Sequence, residues 1–335
     1  MKPAMFQEPK EDGKVLCGLC SHRCLIPEGK RGICSVRENR GGTLFTLVYD
    51  KIIARNIDPV EKKPLFHFLP GSLSYSIAAP GCNFRCLHCQ NADISQLPRD
   101  RGAILGQDLP PSSIAEDARS SRCASISYTY TEPTIYFELA YDTARLAVEK
   151  GLKNVFVSNG YITPEALETV APVLHAANID LKGFSEQFYR KVCGARLQPV
   201  LDAIRLYKKL GIWIEVTTLI IPGYNDSEAE LRQIADFIRS VGAEIPWHVS
   251  RFHPTYKLLD QPITPVATLH MARQIGLDAG LRYVYQGNVP GDGEDTSCWS
   301  CSKTLIKRIG FSVRENNVKA GKCGFCGAAI DGVWT

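Results

Sequence analysis

The chain has 335 residues, 44% of them hydrophobic, enough for one large domain with small appendages. Its net charge of +4 is too weak to point to a nucleic-acid or membrane partner, and no run approaches the ~18 apolar residues of a membrane span. The charged first 14 residues lack the apolar stretch of a signal peptide, so the sequence reads as a soluble cytoplasmic protein.

Thirteen cysteines are many for such a chain. The number is odd and no secretion signal is present, so metal ligation accounts for them better than a disulfide framework. Eleven fall into three groups, and only Cys123 and Cys193 stand alone.

In chain order, the first group is Cys17-x2-Cys20-x3-Cys24-x9-Cys34, in a basic stretch that reads as a small module over 1–42. Residues 43–57 alternate in part as short strands do, and 58–72 are Pro-rich and irregular, giving a connector over 43–72. The run 73–79 is strand-like and ends at the second group, Cys82-x3-Cys86-x2-Cys89. Strand and helix signals then alternate. A helix capped by Ser112 or Ser113 runs through 121, 124–130 is a strand, 134–150 a helix, and 154–157 a strand ending at Ser158-Asn159-Gly160. Thr163 caps a helix with Pro164 at its first position, over 165–174. A strand over 177–181, helices over 186–192 and 199–210, a strand over 213–220, a helix over 227–241, a strand over 245–250, a helix over 265–279 and a strand over 283–285 follow.

Repeated β-then-α units predict an α/β fold, a parallel sheet closed into a full or partial (β/α)6-type barrel over 73–292. In such folds chemistry gathers at the C-terminal ends of the strands. The Cys82 loop, Tyr130–Pro133, Ser158–Gly160, Asp180–Lys182 and Pro222–Gly223 all fall there. The third group, Cys298-x2-Cys301 and Cys323-x2-Cys326, reads as a zinc-ribbon or rubredoxin-like module over 293–335 with four thiolate ligands for zinc or iron. The first group has enough ligands to close a site, zinc ahead of an iron–sulfur cluster, because its spacing is not the ferredoxin run.

Three thiolates from one loop leave one iron of a four-iron, four-sulfur (4Fe-4S) cluster open. The alternative is a zinc knuckle short of one ligand. The C-x3-C-x2-C spacing resembles the signature of the radical S-adenosylmethionine (radical SAM) enzymes. That resemblance implies that the open iron chelates the amino and carboxylate groups of SAM. It extends to several further positions. His88 stands where the family carries an aromatic ring near adenine, and Asn91 resembles a polar position that helps hold SAM. Thr131-Glu132-Pro133 resembles the Gly-Glu-Pro of the motif that holds the SAM amino group, Glu132 being the acceptor or, alternatively, a first-turn helix carboxylate. Ser158 and Asn159 resemble the third-strand loop that meets the SAM carboxylate. Asp180-Leu181-Lys182 matches a pattern of glycyl-radical-enzyme activases, with both charges on one side of a strand. His253 resembles a histidine near the SAM nucleoside, or is a packed strand-end residue. Cys193, beside Gly194, is a candidate hydrogen-atom donor or a buried small residue; no other catalytic residue is assigned.

With the stretch from Asp58 to Ser72 and the flanking cysteine modules, the chain resembles the radical SAM member of the AmmeMemoRadiSam system, related to pyruvate formate-lyase (glycyl radical enzyme) activating enzymes. The resemblance implies reductive cleavage of SAM to methionine and a 5′-deoxyadenosyl radical, hydrogen abstraction from a substrate such as a glycine of a partner protein, and a one-electron donor such as flavodoxin or ferredoxin. Modification of a small molecule, lipid or protein side chain is the second reading. A zinc-organised, non-catalytic nucleic-acid-binding protein is the third.

Overall fold

A computed structural model describes every residue of the chain except 290 and 292. The expected boundary at 292 therefore lies outside the described residues.

Eight strands form the central sheet: β1 (Ala54–Pro59), β2 (Leu73–Ala78), β3 (Ser125–Tyr128), β4 (Lys153–Ser158), β5 (Ala176–Asp180), β6 (Trp213–Ile220), β7 (Trp247–Arg251) and β8 (Val284–Gly287). They lie side by side in chain order. Every neighbouring pair is parallel except β1 with β2. Six helices make the crossovers: α1 (Pro111–Ser120), α2 (Phe137–Glu149), α3 (Pro164–Val170), α4 (Gln198–Lys209), α5 (Glu228–Val241) and α6 (Val266–Asp278). Each crossover returns to the adjacent strand, which curls the sheet around one interior. No ladder joins β8 to β1 among the described residues, so the α/β barrel is partial. The connector supplies more than a link, because its Ala54–Pro59 stretch is the antiparallel edge strand.

Local chemistry sets the helix starts. Thr163 Oγ1 accepts from Ala166 N at 3.4 Å ahead of Pro164, and Ser227 Oγ accepts from Glu230 N at 3.3 Å. α1 departs from expectation. It starts at Pro111, whose fixed φ suits the first turn, and neither Ser112 nor Ser113 caps it. The helix expected over 134–150 divides into a 3₁₀ turn, Pro133–Tyr136, and α2.

The barrel interior is unusually polar on its strands: Ser74, Ser76, Ser125, Ser127, Asn178, Glu215 and His248 are all buried. Residues 60–68 plug its lower end, with Val60, Leu65 and Phe68 packing on Val155 and Ala176. Glu215 of β6 is fully buried and grips the plug, accepting from Phe66 N at 3.0 Å, His67 N at 2.8 Å and His248 Nε2 at 2.7 Å. His67 is held at both ring nitrogens, Nδ1 facing the Asp331 carbonyl at 2.7 Å and Nε2 facing the Tyr285 hydroxyl at 2.6 Å. A carbonyl only accepts, so Nδ1 donates; with the ring neutral, Nε2 accepts from the Tyr285 hydroxyl. Burial pushes its pKa down to about 4. An unfolded histidine takes its proton near 6.5, so the stability held by neutral His67 is complete above that pH. It is lost as pH falls toward about 4, by at most roughly 1.4 kcal/mol per pH unit. Urea unfolding between pH 7.5 and 4.5 should show this loss in the native chain and a shallower one in His67→Gln; equal slopes would remove His67 as the cause.

The N-terminal cysteine stretch, with Thr43–Thr46 of the connector, forms two small three-stranded sheets, and its Val15, Cys17, Leu19 and Ile26 join the main core. Its Arg37 is paired, fully buried, with Glu138 of α2. The C-terminal stretch has its own small core of Leu305, Ile306 and Ile330 around Cys298 and Cys323. No helix among the described residues is long and apolar enough to cross a membrane.

Candidate active site

The loop after β2 carries Cys82, Cys86 and Cys89. All three line one cavity of about 550 Å³ at the C-terminal ends of the strands. Gly81, at φ +110°, turns the chain into this loop. A Cβ there would lie 2.8 Å from Val36 Cγ1 and 3.4 Å from the Cys34 carbonyl, so only glycine fits. Phe84 N donates to Cys82 Sγ at 3.3 Å, Asn159 Nδ2 approaches it at 3.8 Å, and Ser95 Oγ lies 3.1 Å from Cys89 Sγ. Such donors ease the burial of thiolates and tune a cluster bound to them.

A second brace comes from the segment after β5. Residues Tyr189–Cys193 form a single π turn, ended by Gly194 at φ +72°. Its carbonyls receive the loop's amides, Arg85 N to Cys193 O at 2.9 Å and Leu87 N to Val192 O at 3.0 Å. A Cβ on Gly194 would fall 2.4 Å from Arg85 Cγ. Gly194→Ala should therefore push the exposed Arg85 side chain aside and strain the left-handed turn, costing about 1–3 kcal/mol of stability, read as a lower Tm. Cys193 itself is fully buried and does not line the cavity. Its sulfur lies within 4.8 Å of the Cys86 sulfur and of a His88 ring nitrogen.

Glu132, after β3, is 1% exposed and bridges two strand ends. Its Oε1 accepts from Thr134 N at 2.9 Å, Thr134 Oγ1 at 2.6 Å and Ser158 Oγ at 2.8 Å; its Oε2 accepts from Asn159 N at 2.8 Å. It thus caps the 3₁₀ turn and also presents Oε2 with unused acceptor capacity at the cavity. Burial pushes its pKa up, against the four donors. The glycines missing from the motif are replaced by an unusual backbone. Tyr130 sits at φ +63°, held by its hydroxyl on Asp58, by Lys63 Nζ 4.5 Å from its ring centre, and by its carbonyl, which accepts from Asn91 Nδ2 at 2.7 Å.

Asp180 and Lys182 pair at 2.8 Å on the opposite wall. His88 is buried, nearly parallel to Phe188 (19°, centroids 6.2 Å apart), and burial with Lys182 pushes its pKa down to about 3. Of the residues expected to hold cluster and SAM, ten line the cavity: Cys82, Cys86, Cys89, His88, Asn91, Glu132, Ser158, Asn159, Asp180 and Lys182. His253 does not; it is exposed beyond the end of β7, and that strand presents His248 and Ser250 instead.

The sequence reading missed the deep half of the cavity, where Asn178, Thr217, His248 and Gln286 sit above plug residues Glu61, Lys63 and Phe66. The signal was there: polar residues two apart in otherwise apolar strands, Asn178/Asp180, Glu215/Thr217 and His248/Ser250.

The donor set suits a cubic cluster. The three loop sulfurs do not all lie within 4.8 Å of one another, as they would around one ion. No other cysteine lines the cavity among the described residues. At the C-terminus, by contrast, Cys298, Cys301, Cys323 and Cys326 all lie within 4.8 Å, with two pairs at 3.8 Å. Four thiolates at ~2.3 Å from one tetrahedral ion would be about 3.8 Å apart, so this set fits a single zinc or iron ion.

Residues 76–238 match the profile of the radical SAM superfamily. The chain is 51% identical to the uncharacterized protein MJ0808 of Methanocaldococcus jannaschii over 335 residues, 99% of each chain. It is 20% identical to the pyruvate formate-lyase-activating enzyme of Clostridium pasteurianum, over 60% of this chain and 87% of that one. The chain belongs to the radical SAM superfamily. The structure of Streptococcus suis SuiB bound to precursor peptide SuiA shares the fold, with a TM-score of 0.51 at 15% identity over 69% of this chain and 51% of that one. Membership brings SAM and a 4Fe-4S cluster as the family's cofactors and radical chemistry as its activity.

Proposed function

We propose that this radical SAM enzyme is of the activating-enzyme type, in the AmmeMemoRadiSam branch, and removes a hydrogen atom from a glycine of a partner protein. One observation carries the reading: three cysteines, with no fourth lining the cavity among the described residues, share it with a carboxylate, amides and an Asp–Lys pair fitted to an amino acid and a sulfonium. A reduced 4Fe-4S cluster held there would supply the one electron that breaks a carbon–sulfur bond of bound SAM into methionine and a 5′-deoxyadenosyl radical.

The chain's own residues do the rest. Cys82, Cys86 and Cys89 hold three cluster corners. Glu132 would accept from the SAM ammonium, with Ser158 and Asn159 fixing that carboxylate in place. His88 offers a flat face toward the nucleoside, and Asp180 with Lys182 balances charge on the facing wall. The plug around Phe66 closes the floor against water. A low-potential one-electron donor of the flavodoxin or ferredoxin class completes the cycle.

The test is anaerobic incubation with SAM and reductant, followed for 5′-deoxyadenosine and for an electron-spin signal on a candidate partner. A second reading, a small polar substrate taken wholly inside, draws on buried atoms without partners in the deep cavity: Asn178 Oδ1, Thr217 Oγ1 and Gln286 Oε1. It predicts deuterium from the substrate in 5′-deoxyadenosine and no protein radical. A colourless, zinc-only protein after anaerobic reconstitution would defeat both.

A further inference from the structure

The first cysteine group differs in geometry from the last. Residues Val15–Cys17 and Leu25–Ile26 pair as a hairpin in register Val15↔Ile26 and Leu16↔Leu25. Cys17 and Cys24 are the next opposed positions, and Cys17 N donates to Cys24 O at 2.9 Å. Opposed residues in an antiparallel pair point to the same face. Cys20 lies in the turn between them. The loop 32–35 brings Cys34 to the same side, where a Cβ on Gly32 would be 3.7 Å from Cys24 Sγ. Yet no three of these four thiols lie within 4.8 Å, whereas the C-terminal four do. A single zinc ion would draw its thiolates to about 3.8 Å. A cluster of several irons sets them wider, since each thiolate takes its own iron.

This group also rests directly on the Cys82 loop. Arg99 Nη2 donates to Ile33 O at 2.9 Å and to Cys82 O at 3.3 Å, joining the residue before Cys34 to the first thiol of the triad. A ring nitrogen of His22 lies 2.8 Å from Asn83 O. Outward, Leu25 (54% exposed) and Ile33 (47% exposed) flank the partly exposed Cys24 and Cys34, beside the exposed, basic Lys30.

We infer that Cys17, Cys20, Cys24 and Cys34 hold a second, fully ligated iron–sulfur cluster that relays electrons from a one-electron carrier protein to the Cys82–Cys89 cluster. The step moves one electron in and one electron out, with no atom transferred. The carrier docks on the Leu25–Ile33 face. The relay rests on the function proposed above; the identity of the metal does not. Zinc, the first expectation for this group, is the competing assignment, and the metal count decides between the two.

Iron and zinc are counted in the anaerobically reconstituted whole chain, with Mössbauer spectra to separate cluster types. The native protein should hold about eight irons and one zinc or rubredoxin-type iron, and the double variant Cys24→Ser/Cys34→Ser about four fewer irons with the C-terminal metal unchanged. SAM cleavage driven by dithionite should persist in that variant, while cleavage driven by reduced flavodoxin should fall at least about tenfold. About four irons and two zincs in the native chain would overturn the metal assignment without recourse to any variant. Equal flavodoxin-driven rates in both proteins would overturn the relay. The two readings fail separately: no SAM cleavage under any reductant removes the proposed function and leaves the eight-iron count standing or falling on its own.

Discussion

Cys86→Ala is expected to abolish reductive cleavage of SAM, with 5′-deoxyadenosine falling to the level of the reagent blank. The thiol is 7% exposed, lies in the middle of the triad, and has Cys193 pressed behind it. Two objections are open to test. The first is that Cys193 takes over the vacated ligand position. It does not line the cavity, and its main chain is held by the Arg85 N bond to its carbonyl at 2.9 Å, although its sulfur lies within 4.8 Å of that of Cys86. Cys193→Ala should accordingly keep most of the activity, and the double variant should be no worse than Cys86→Ala. The second is that the variant merely unfolds. The lost packing is that of one sulfur atom, about 1 kcal/mol, well within what a domain tolerates. Far-ultraviolet circular dichroism should be unchanged while the visible iron–sulfur absorption falls. Retained cleavage in Cys86→Ala would remove the triad from the chemistry.

Cys323→Ser is expected to release the C-terminal metal and loosen the module of residues 296–335, an effect larger than any surface change. Cys323 is 3% exposed, and its sulfur accepts from Phe325 N and Cys326 N, both at 3.4 Å. The module has few apolar residues of its own, and small domains of this kind owe much of their folding free energy to the ion. Limited proteolysis should cut this region selectively in the variant and in chelator-treated native protein. Mass spectrometry after mild denaturation should find one metal ion fewer. A module that stays protease-resistant without metal would show that packing alone suffices.

The barrel was legible because each strand–helix unit carries its own punctuation: Thr163-Pro164 and Ser227 at helix starts, Gly151 and Gly211 after helix ends, and β6 copied its expected span, Trp213–Ile220. The Cys loop was legible because ligand spacing is local. What escaped was whatever depends on segments far apart. Ala54–Pro59 reads as a short alternating strand, but nothing in it says that it pairs with β2. The stretch 60–68 reads as loop because its apolar residues have no period; they are spaced to fill a barrel end, not one face of a helix or strand. Glu215 and His248 meet only because β6 and β7 are neighbours, and their partner amides arrive from about 150 residues upstream. The expectation for His253 failed to reach the cavity for a simpler reason: β7 runs to Arg251, so the inward side chains are His248 and Ser250, and the chain has turned outward by residue 253.

The plug has a consequence for the far end of the chain. Arg308 of the C-terminal module donates to Phe66 O at 2.8 Å and lies 3.9 Å from Glu61, both charges fully buried, and Val333 N donates to His67 O at 2.7 Å. The cork of the cavity is therefore pinned by a module whose four cysteines fit an ion of their own. Stripping that ion would leave the iron loop intact but let solvent leak in from below, so that radicals are quenched before reaching substrate and the ratio of cofactor consumed to product formed climbs.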